Sequence, residues 1–206
     1  FGRDGGEAVA HGLGLSSVRE HGNRTADLVA GARMAGKMVA LHAGEKDGRD
    51  LEDAIACDPD LLVHCTHATD HHLRMIADAG IPVAVCPRSN WRLGVTSSGD
   101  FPPLRKMLEA GCEVWLGTDN VMFVQPDMGA EMSFLSYVYG MDEKTILTMA
   151  TAGAALAGRS YVIEEHTTAH LITVDSASGN ALFSKNIAKS VVNRLNSLSI
   201  EGTILN

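Results

Sequence analysis

The chain is poor in the features that mark several common classes of protein. Its four cysteines, Cys57, Cys65, Cys86 and Cys112, form no CxxC pair, which leaves out zinc-finger and dithiol-redox spacings. They read as buried thiols of a reducing compartment, and so predict a cytoplasmic protein. The longest apolar stretches, such as Ile81 to Cys86, fall well short of the roughly 18 residues of a membrane span, and no signal-peptide pattern precedes them. There is no run rich in Lys or Arg. With 17 basic against 25 acidic residues and a formal charge of −8, neither nucleic acid nor an anionic membrane surface is the expected partner. A small-molecule or protein partner is expected instead, the small-molecule substrate first. Aromatic side chains make up only 5%, yet 45% hydrophobic and 20% charged residues are ordinary for a soluble globular chain. At 206 residues the length suits one large domain, or one with an appendage.

What is present is an alternation. Between residues 8 and 140, short apolar runs alternate with amphipathic stretches, which predicts β-α units. The expected strands are Ala8–Leu13, Met38–Leu41, Leu61–Val63, Val83–Cys86 and Glu113–Leu116, continuous apolar runs of the kind that lie in parallel sheets covered on both faces. Helices are expected at Thr25–Lys37, Asp50–Cys57, Thr69–Ala79, Pro102–Ala110, Met128–Tyr139 and Asp142–Ala157. Thr69 or Asp70 suits an N-cap, and Gly80 and Gly111 suit left-handed C-caps. Beyond Gly158, the runs Tyr161–Ile163, Leu171–Val174, Ser190–Val192 and Ser199–Leu205 predict a small β-rich appendage. The expected division is therefore residues 1–158 and 159–206.

Polar groups recur at the C-terminal ends of four consecutive strands, where βα loops build the active sites of α/β barrels. They are His42 and Glu45, His64, Ser89-Asn90, and Asp119-Asn120. Histidine and aspartate at successive strand ends suit a borderline divalent metal, Zn²⁺ first, although Fe²⁺, Mn²⁺ and Ni²⁺ accept the same ligands. Such an ion makes water a nucleophile at neutral pH. Asp119 then has two tasks, to touch the metal and to accept the water's proton. Glu45 is placed to return that proton to a ring or leaving-group nitrogen, and His64 to hydrogen-bond the developing oxyanion. Trp91 and Arg92 are candidates for binding an aromatic substrate; an exposed Trp-Arg pair on a loop looks the same in sequence.

These fragments, His42-Ala43-Gly44-Glu45, His64-Cys65, Cys86-Pro87-Arg88-Ser89-Asn90-Trp91-Arg92-Leu93-Gly94, Leu116-Gly117-Thr118-Asp119-Asn120 and the Ala- and Gly-rich Ala150–Gly158, together resemble the amidohydrolase superfamily of metal-dependent hydrolases, in its deaminase branch. The resemblance covers residues 38–158. It implies part of a (β/α)8 barrel of about five units, with His42 and Asp119 as metal ligands, Glu45 as proton shuttle and Ser89 and Asn90 on a loop facing substrate. Adenosine deaminase has similar His-Ala-Gly-Glu wording. The β-rich tail resembles more the cytosine deaminase and chlorohydrolase-like branch.

One part of the family's pattern is missing, since no His-x-His suited to its first strand precedes His42. The chain thus resembles the C-terminal half of a longer protein, and Ala169-His170-Leu171 stands where the family often has Ala-Asp-Leu. Half a barrel leaves two open strand edges, so either homo-oligomerisation or association with a missing N-terminal segment is expected. The resemblance implies hydrolysis of a C–N bond in a heterocyclic or nucleoside-type substrate. The alternative is a metal-free barrel that serves as a structural or interaction subunit.

Other polar residues read as structure. His71 and His72 fall within a helix and His67 in a loop, His11 lies on the first strand, and His166 and His170 belong to the tail. Gly12-x-Gly14-x-x-Ser17 lacks the third glycine of a dinucleotide loop. Met128, Met132, Phe134, Leu135 and Val138 read as one core-facing helix stripe, and the acidic clusters Asp47–Asp53 and Asp58–Asp60 as solvated helix starts and turns.

Overall fold

A computed structural model describes residues 8–177, 181–196 and 199–205. Five short strands, β1 (Gly12–Leu15), β2 (Met38–Ala43), β3 (Leu61–His64), β4 (Val83–Val85) and β5 (Val114–Leu116), form one sheet in the order β1-β2-β3-β4-β5. The pairings of β1 with β2, β2 with β3 and β3 with β4 are parallel, and the Val83 amide donates to the Glu113 carbonyl at 2.8 Å. Helices α1 (Thr25–Met34), α2 (Leu51–Ala56), α3 (Asp70–Ala79), α4 (Pro87–Arg92) and α5 (Leu104–Glu109) fall between the strands. Then follow α6 (Met128–Phe134), which runs on as a π turn to Tyr139, α7 (Glu143–Ala152), β6 (His170–Val174), α8 (Ile187–Arg194) and β7 (Ile200–Leu205). A consecutive order of parallel strands joined by helices is the expected arc of a barrel. Among the described residues no helix is long and apolar enough to cross a membrane.

The chain divides into two compact units. One holds the chain up to Val85 together with Val95–Val114, the other Cys86–Gly94 together with the chain from Trp115 onward. In the first, Val39, Leu41, Leu62 and Val83 on the strands and Leu51, Leu73, Ile76 and Met107 on the helices are almost wholly buried. Each such side chain contributes about 1.5–3 kcal/mol relative to an exposed position. Helix α3 starts at a capping box in which the Thr69 hydroxyl accepts from the His72 amide at 3.4 Å and the His72 ring accepts from the Thr69 amide at 3.2 Å. It ends at Gly80 in the left-handed region, and Gly111 after α5 has φ 86°. In the second unit, Met132, Leu135, Ile146, Met149 and Val192 are buried, with α8 packed on α6 and α7.

Several sequence expectations are corrected. The first strand lies at Gly12–Leu15, displaced from Ala8–Leu13, so His11 precedes it and is exposed. Ser190–Val192 lies inside α8, not in a strand. Asn186 caps that helix by accepting from the Lys189 amide at 2.9 Å, and Ser190 and Val192 are buried. Cap and packing outweigh the strand preference of Val191-Val192. Tyr161–Ile163 forms no strand; the Val162 amide is tied to the Ser160 hydroxyl in a local turn. Leu171–Val174 and Ser199–Leu205 do pair, as the antiparallel β6 and β7. All four cysteines are free thiols, Cys65, Cys86 and Cys112 buried and Cys57 partly so, and burial raises the pKa of Cys65 strongly.

Candidate active site

The first cluster stands on β2 and β3. Alternation along β2 buries Val39, Leu41 and Ala43 and leaves His42 half-buried near the C-terminal end. His64 closes β3 and is 1% exposed. The register pairs His42 with Val63 and Ala43 with His64, so both imidazoles leave the sheet at its C-terminal end. Their rings meet edge to face with centroids 5.0 Å apart, and His64 Nε2 faces His42 Nδ1 at 3.2 Å. The backbone is unusual here, because His64 (φ 76°) and Cys65 (φ 48°) both occupy the left-handed region. That costs about 1 kcal/mol or more for a non-glycine residue and concentrates at functional sites.

The turn after His42 is pinned on two sides. The Gly44 amide donates to Asp50 Oδ1 at 2.8 Å, while the Cys65 and His67 amides donate to the Ala43 and Gly44 carbonyls. Gly44 has φ +62°, and a Cβ there would meet the Leu51 side chain at 2.9 Å. Glycine is therefore required between His42 and Glu45. Glu45 is half-buried and lines a pocket of about 280 Å³ with Ser16, Arg19, His42, Lys46 and Asp50. Asp47 forms an ion pair with Arg49 at 2.7 Å, and these hydrogen bonds hold its carboxyl down near 2.

The second cluster belongs to the other unit. Ser89 and Asn90, expected on a loop, lie in the first turns of α4 and are fully buried. Pro87, preset for a first helical turn, converts the expected loop into a helix. The Ser89 hydroxyl donates to Asp119 Oδ2. Asp119 itself has φ 56°, a third strained residue just beyond a strand end. Trp91 and Arg92 are exposed, and the Trp91 ring stands edge-on to Phe134 at 5.6 Å.

Sequence reasoning missed Glu131. It sits on the stripe of α6 read as core and is wholly buried, facing Arg88 Nη1 through Oε1 at 3.4 Å and accepting from the Arg88 amide through Oε2 at 3.4 Å. Arg88, placed before the Ser-Asn pair, was the available signal for a buried acid. Burial pushes the Glu131 carboxyl up to about 7, against the lowering effect of Arg88, with Asp127 and Asp119 adding smaller upward pushes. The folded-state value lies above the ordinary one, so the stabilisation is complete below the usual carboxylate range and is lost as pH rises through 7. Chemical unfolding from pH 5 to pH 8 should show stability falling by an amount on the order of 2 kcal/mol. Glu131→Gln should flatten that slope, and an unchanged slope in the variant would exclude Glu131 as its source. Tyr139, whose own pKa is raised by burial and by Glu131, stays neutral over this range.

The structure thus joins His42 to His64 and Ser89 to Asp119. Among the described residues, no group of three or more His, Cys, Asp or Glu side chains is gathered as a metal site. The His pair offers imidazole nitrogens, a ligand type that zinc accepts, and the 3.2 Å between His64 Nε2 and His42 Nδ1 is the length of a hydrogen bond.

Comparison with known proteins places the fold. Residues 7–173 match the family model described as adenosine deaminase. A "Putative aminohydrolase" of Methanothermobacter thermautotrophicus is 34% identical over 210 residues, covering 93% of this chain and 52% of its own. An adenine deaminase of Chelativorans sp. is 32% identical over 120 residues, 56% of this chain and 37% of its own. The chain spans about half the length of the curated relatives it matches. Among solved structures, a zinc-bound adenosine deaminase from Xanthomonas campestris superposes with a TM-score of 0.77 at 22% identity, over 87% of this chain and 46% of that one. Atrazine chlorohydrolase TrzN from Arthrobacter aurescens, a mutant complexed with zinc and atraton, gives a TM-score of 0.73 at 18% identity, over 91% and 47%. With the family model spanning most of its length and the barrel arc common to these structures, the chain belongs to the adenosine deaminase family of the amidohydrolase superfamily.

Proposed function

We propose that this chain carries catalytic elements of a metal-dependent deaminase that hydrolyses a C–N bond to an exocyclic amino group of a nucleoside-type or other aminated heterocycle. The observation that carries the reading is the facing pair His42 and His64 at adjacent strand ends, within a segment matched by the adenosine deaminase family. The adenine deaminase relatives and the zinc bound by the Xanthomonas adenosine deaminase agree with it.

His42 would be a ligand of a divalent cation of the zinc class, with His64, 3.2 Å from it at the adjacent strand end, as a second nitrogen donor; the family resemblance gives Asp119 a ligand's role as well. Such an ion, when bound, supplies the activation of water at neutral pH. Asp119 takes the proton of the attacking water. Its Oδ2 accepts from the Ser89 hydroxyl. Glu45, which lines its pocket, carries a proton to the substrate ring nitrogen or the departing amine. Trp91, edge-on to Phe134, offers an apolar face for a planar ring, and Arg92 follows it.

The test is metal stoichiometry by mass spectrometry, together with ammonia release from a panel of aminated purines, pyrimidines and nucleosides, on the full-length protein. About one divalent ion per chain, ammonia release, and loss of both in His42→Ala are expected. A metal-loaded, folded protein that releases no ammonia from any member of the panel would refute the deaminase reading.

A further inference from the structure

Two consecutive residues of α4 hold the two ends of one loop. Ser89 donates to Asp119, at the loop's start. Arg88 Nη1 donates to the carbonyls of Gln125 at 3.3 Å and Asp127 at 3.4 Å, at its end, where Asp127 caps α6 through the Ala130 amide at 3.2 Å. Between these anchors the loop is partly self-supporting, since the Asn120 side chain accepts from the Met122 amide and its carbonyl from the Phe123 and Val124 amides. Val124 turns inward, while Val121 and Met122 are 67% and 79% exposed. The spacing between the two anchors is thus set by one helical step along α4.

What fixes that step is Glu131. Pro87 opens α4 and has no amide hydrogen, so the Arg88 amide is the helix's first free donor. Glu131 accepts from it and also from the guanidinium of the same residue. In the ionised form both carboxylate oxygens are committed to Arg88, one to its backbone and one to its side chain. No side chain other than a carboxylate of this length can accept at both points at once.

We infer that Glu131 is a positioning residue for the proton transfer at Asp119: by seating Arg88 through both carboxylate oxygens, it fixes the α4 turn that holds both ends of the loop from Asp119 to Asp127. The inference rests on the proposed deaminase reading for the reaction it serves, and on the hydrogen bonds above for the anchoring itself. Glu131→Gln keeps the volume but can accept at only one oxygen, and its amide NH₂ opposes one of the two Arg88 donors. Arg88→Lys keeps the charge, but its ammonium ends about one bond short of the position from which Nη1 reaches Glu131 and the two loop carbonyls.

Hydrogen exchange by mass spectrometry and steady-state ammonia release, both on the full-length protein, test the two parts separately. In Glu131→Gln and in Arg88→Lys, amides of residues 119–127 should exchange at least tenfold faster while those of β2 do not change. In the same variants kcat should fall at least tenfold with KM within threefold. Should Glu131→Gln fail to fold, the double variant Arg88→Met with Glu131→Met keeps the volume without buried charge, and it should show the same loosened loop. Unchanged exchange over 119–127 in the variants, or loosened exchange with undiminished kcat, would overturn the inference. Loosened exchange in the variants of a wild-type protein that turns over no aminated heterocycle would refute the deaminase function and leave the anchoring intact.

Discussion

Asp119→Asn should cost about 10³- to 10⁴-fold in kcat while leaving the far-UV circular dichroism and the unfolding midpoint essentially unchanged. The size follows from what one atom replacement removes. Asparagine keeps the shape and the carbonyl oxygen, so the Ser89 hydroxyl still has an acceptor. It cannot take up a proton, because an amide is not basic at neutral pH. Its NH₂ presents a donor where the carboxylate offered Oδ1 as an acceptor. The left-handed backbone at this position (φ 56°) is tolerated at least as well by Asn as by Asp, so the fold gives no second reason for a loss. Ammonia release under saturating substrate, beside a denaturation curve, separates the two effects. A variant that retains more than a tenth of wild-type turnover would remove Asp119 as the proton acceptor.

The largest expected effect on stability comes from a residue with no part in the chemistry. Gly129, in the first turn of α6, is buried, and a Cβ built on it would overlap the Leu195 carbonyl oxygen and lie 2.8 Å from its carbon. The obstacle is backbone just beyond the end of α8, so relief needs one helix to move against the other. Gly129→Ala should therefore destabilise the protein by about 2–3 kcal/mol. The same substitution at Gly153, where nothing lies within 4 Å and φ is −58°, should be neutral or stabilise by about 0.5 kcal/mol. Urea unfolding midpoints of the two variants give the comparison. Equal midpoints would mean that α6 and α8 do not approach as closely as described.

How much of this is readable beforehand depends on whether the signal is local. The strands β2 to β5 are legible because apolar runs bounded by turn residues have few alternatives in an α/β chain. The caps at Thr69 and Gly80 are legible because their chemistry is contained within a few residues. His42, His64 and Asp119 stand out because polar groups recur at the C-terminal ends of consecutive strands. Ser190–Val192 is misleading in sequence because its helix depends on packing against α6 and α7, partners that no window around Val192 contains. Ser89 and Asn90 are expected on a loop because the resemblance supplies the motif but not its backbone. Glu131 escapes notice because its apolar neighbours Met132 and Leu135 set the stripe, and the reason for a carboxylate among them lies 43 residues away at Arg88.

The second compact unit is not continuous in the gene. Its nine residues Cys86–Gly94 are separated from the rest by Val95–Val114. No single pair of cut points therefore releases this unit without also carrying that intervening stretch. A fragment beginning at Trp115 would keep Glu131 but not Arg88, and Asp119 but not Ser89. It would bury an acid without its cation and lose the hydroxyl that orients the proposed base. Shuffling, duplication or circular permutation in this region can preserve the site only when a breakpoint spares Arg88-Ser89 as well as the residues that follow β5.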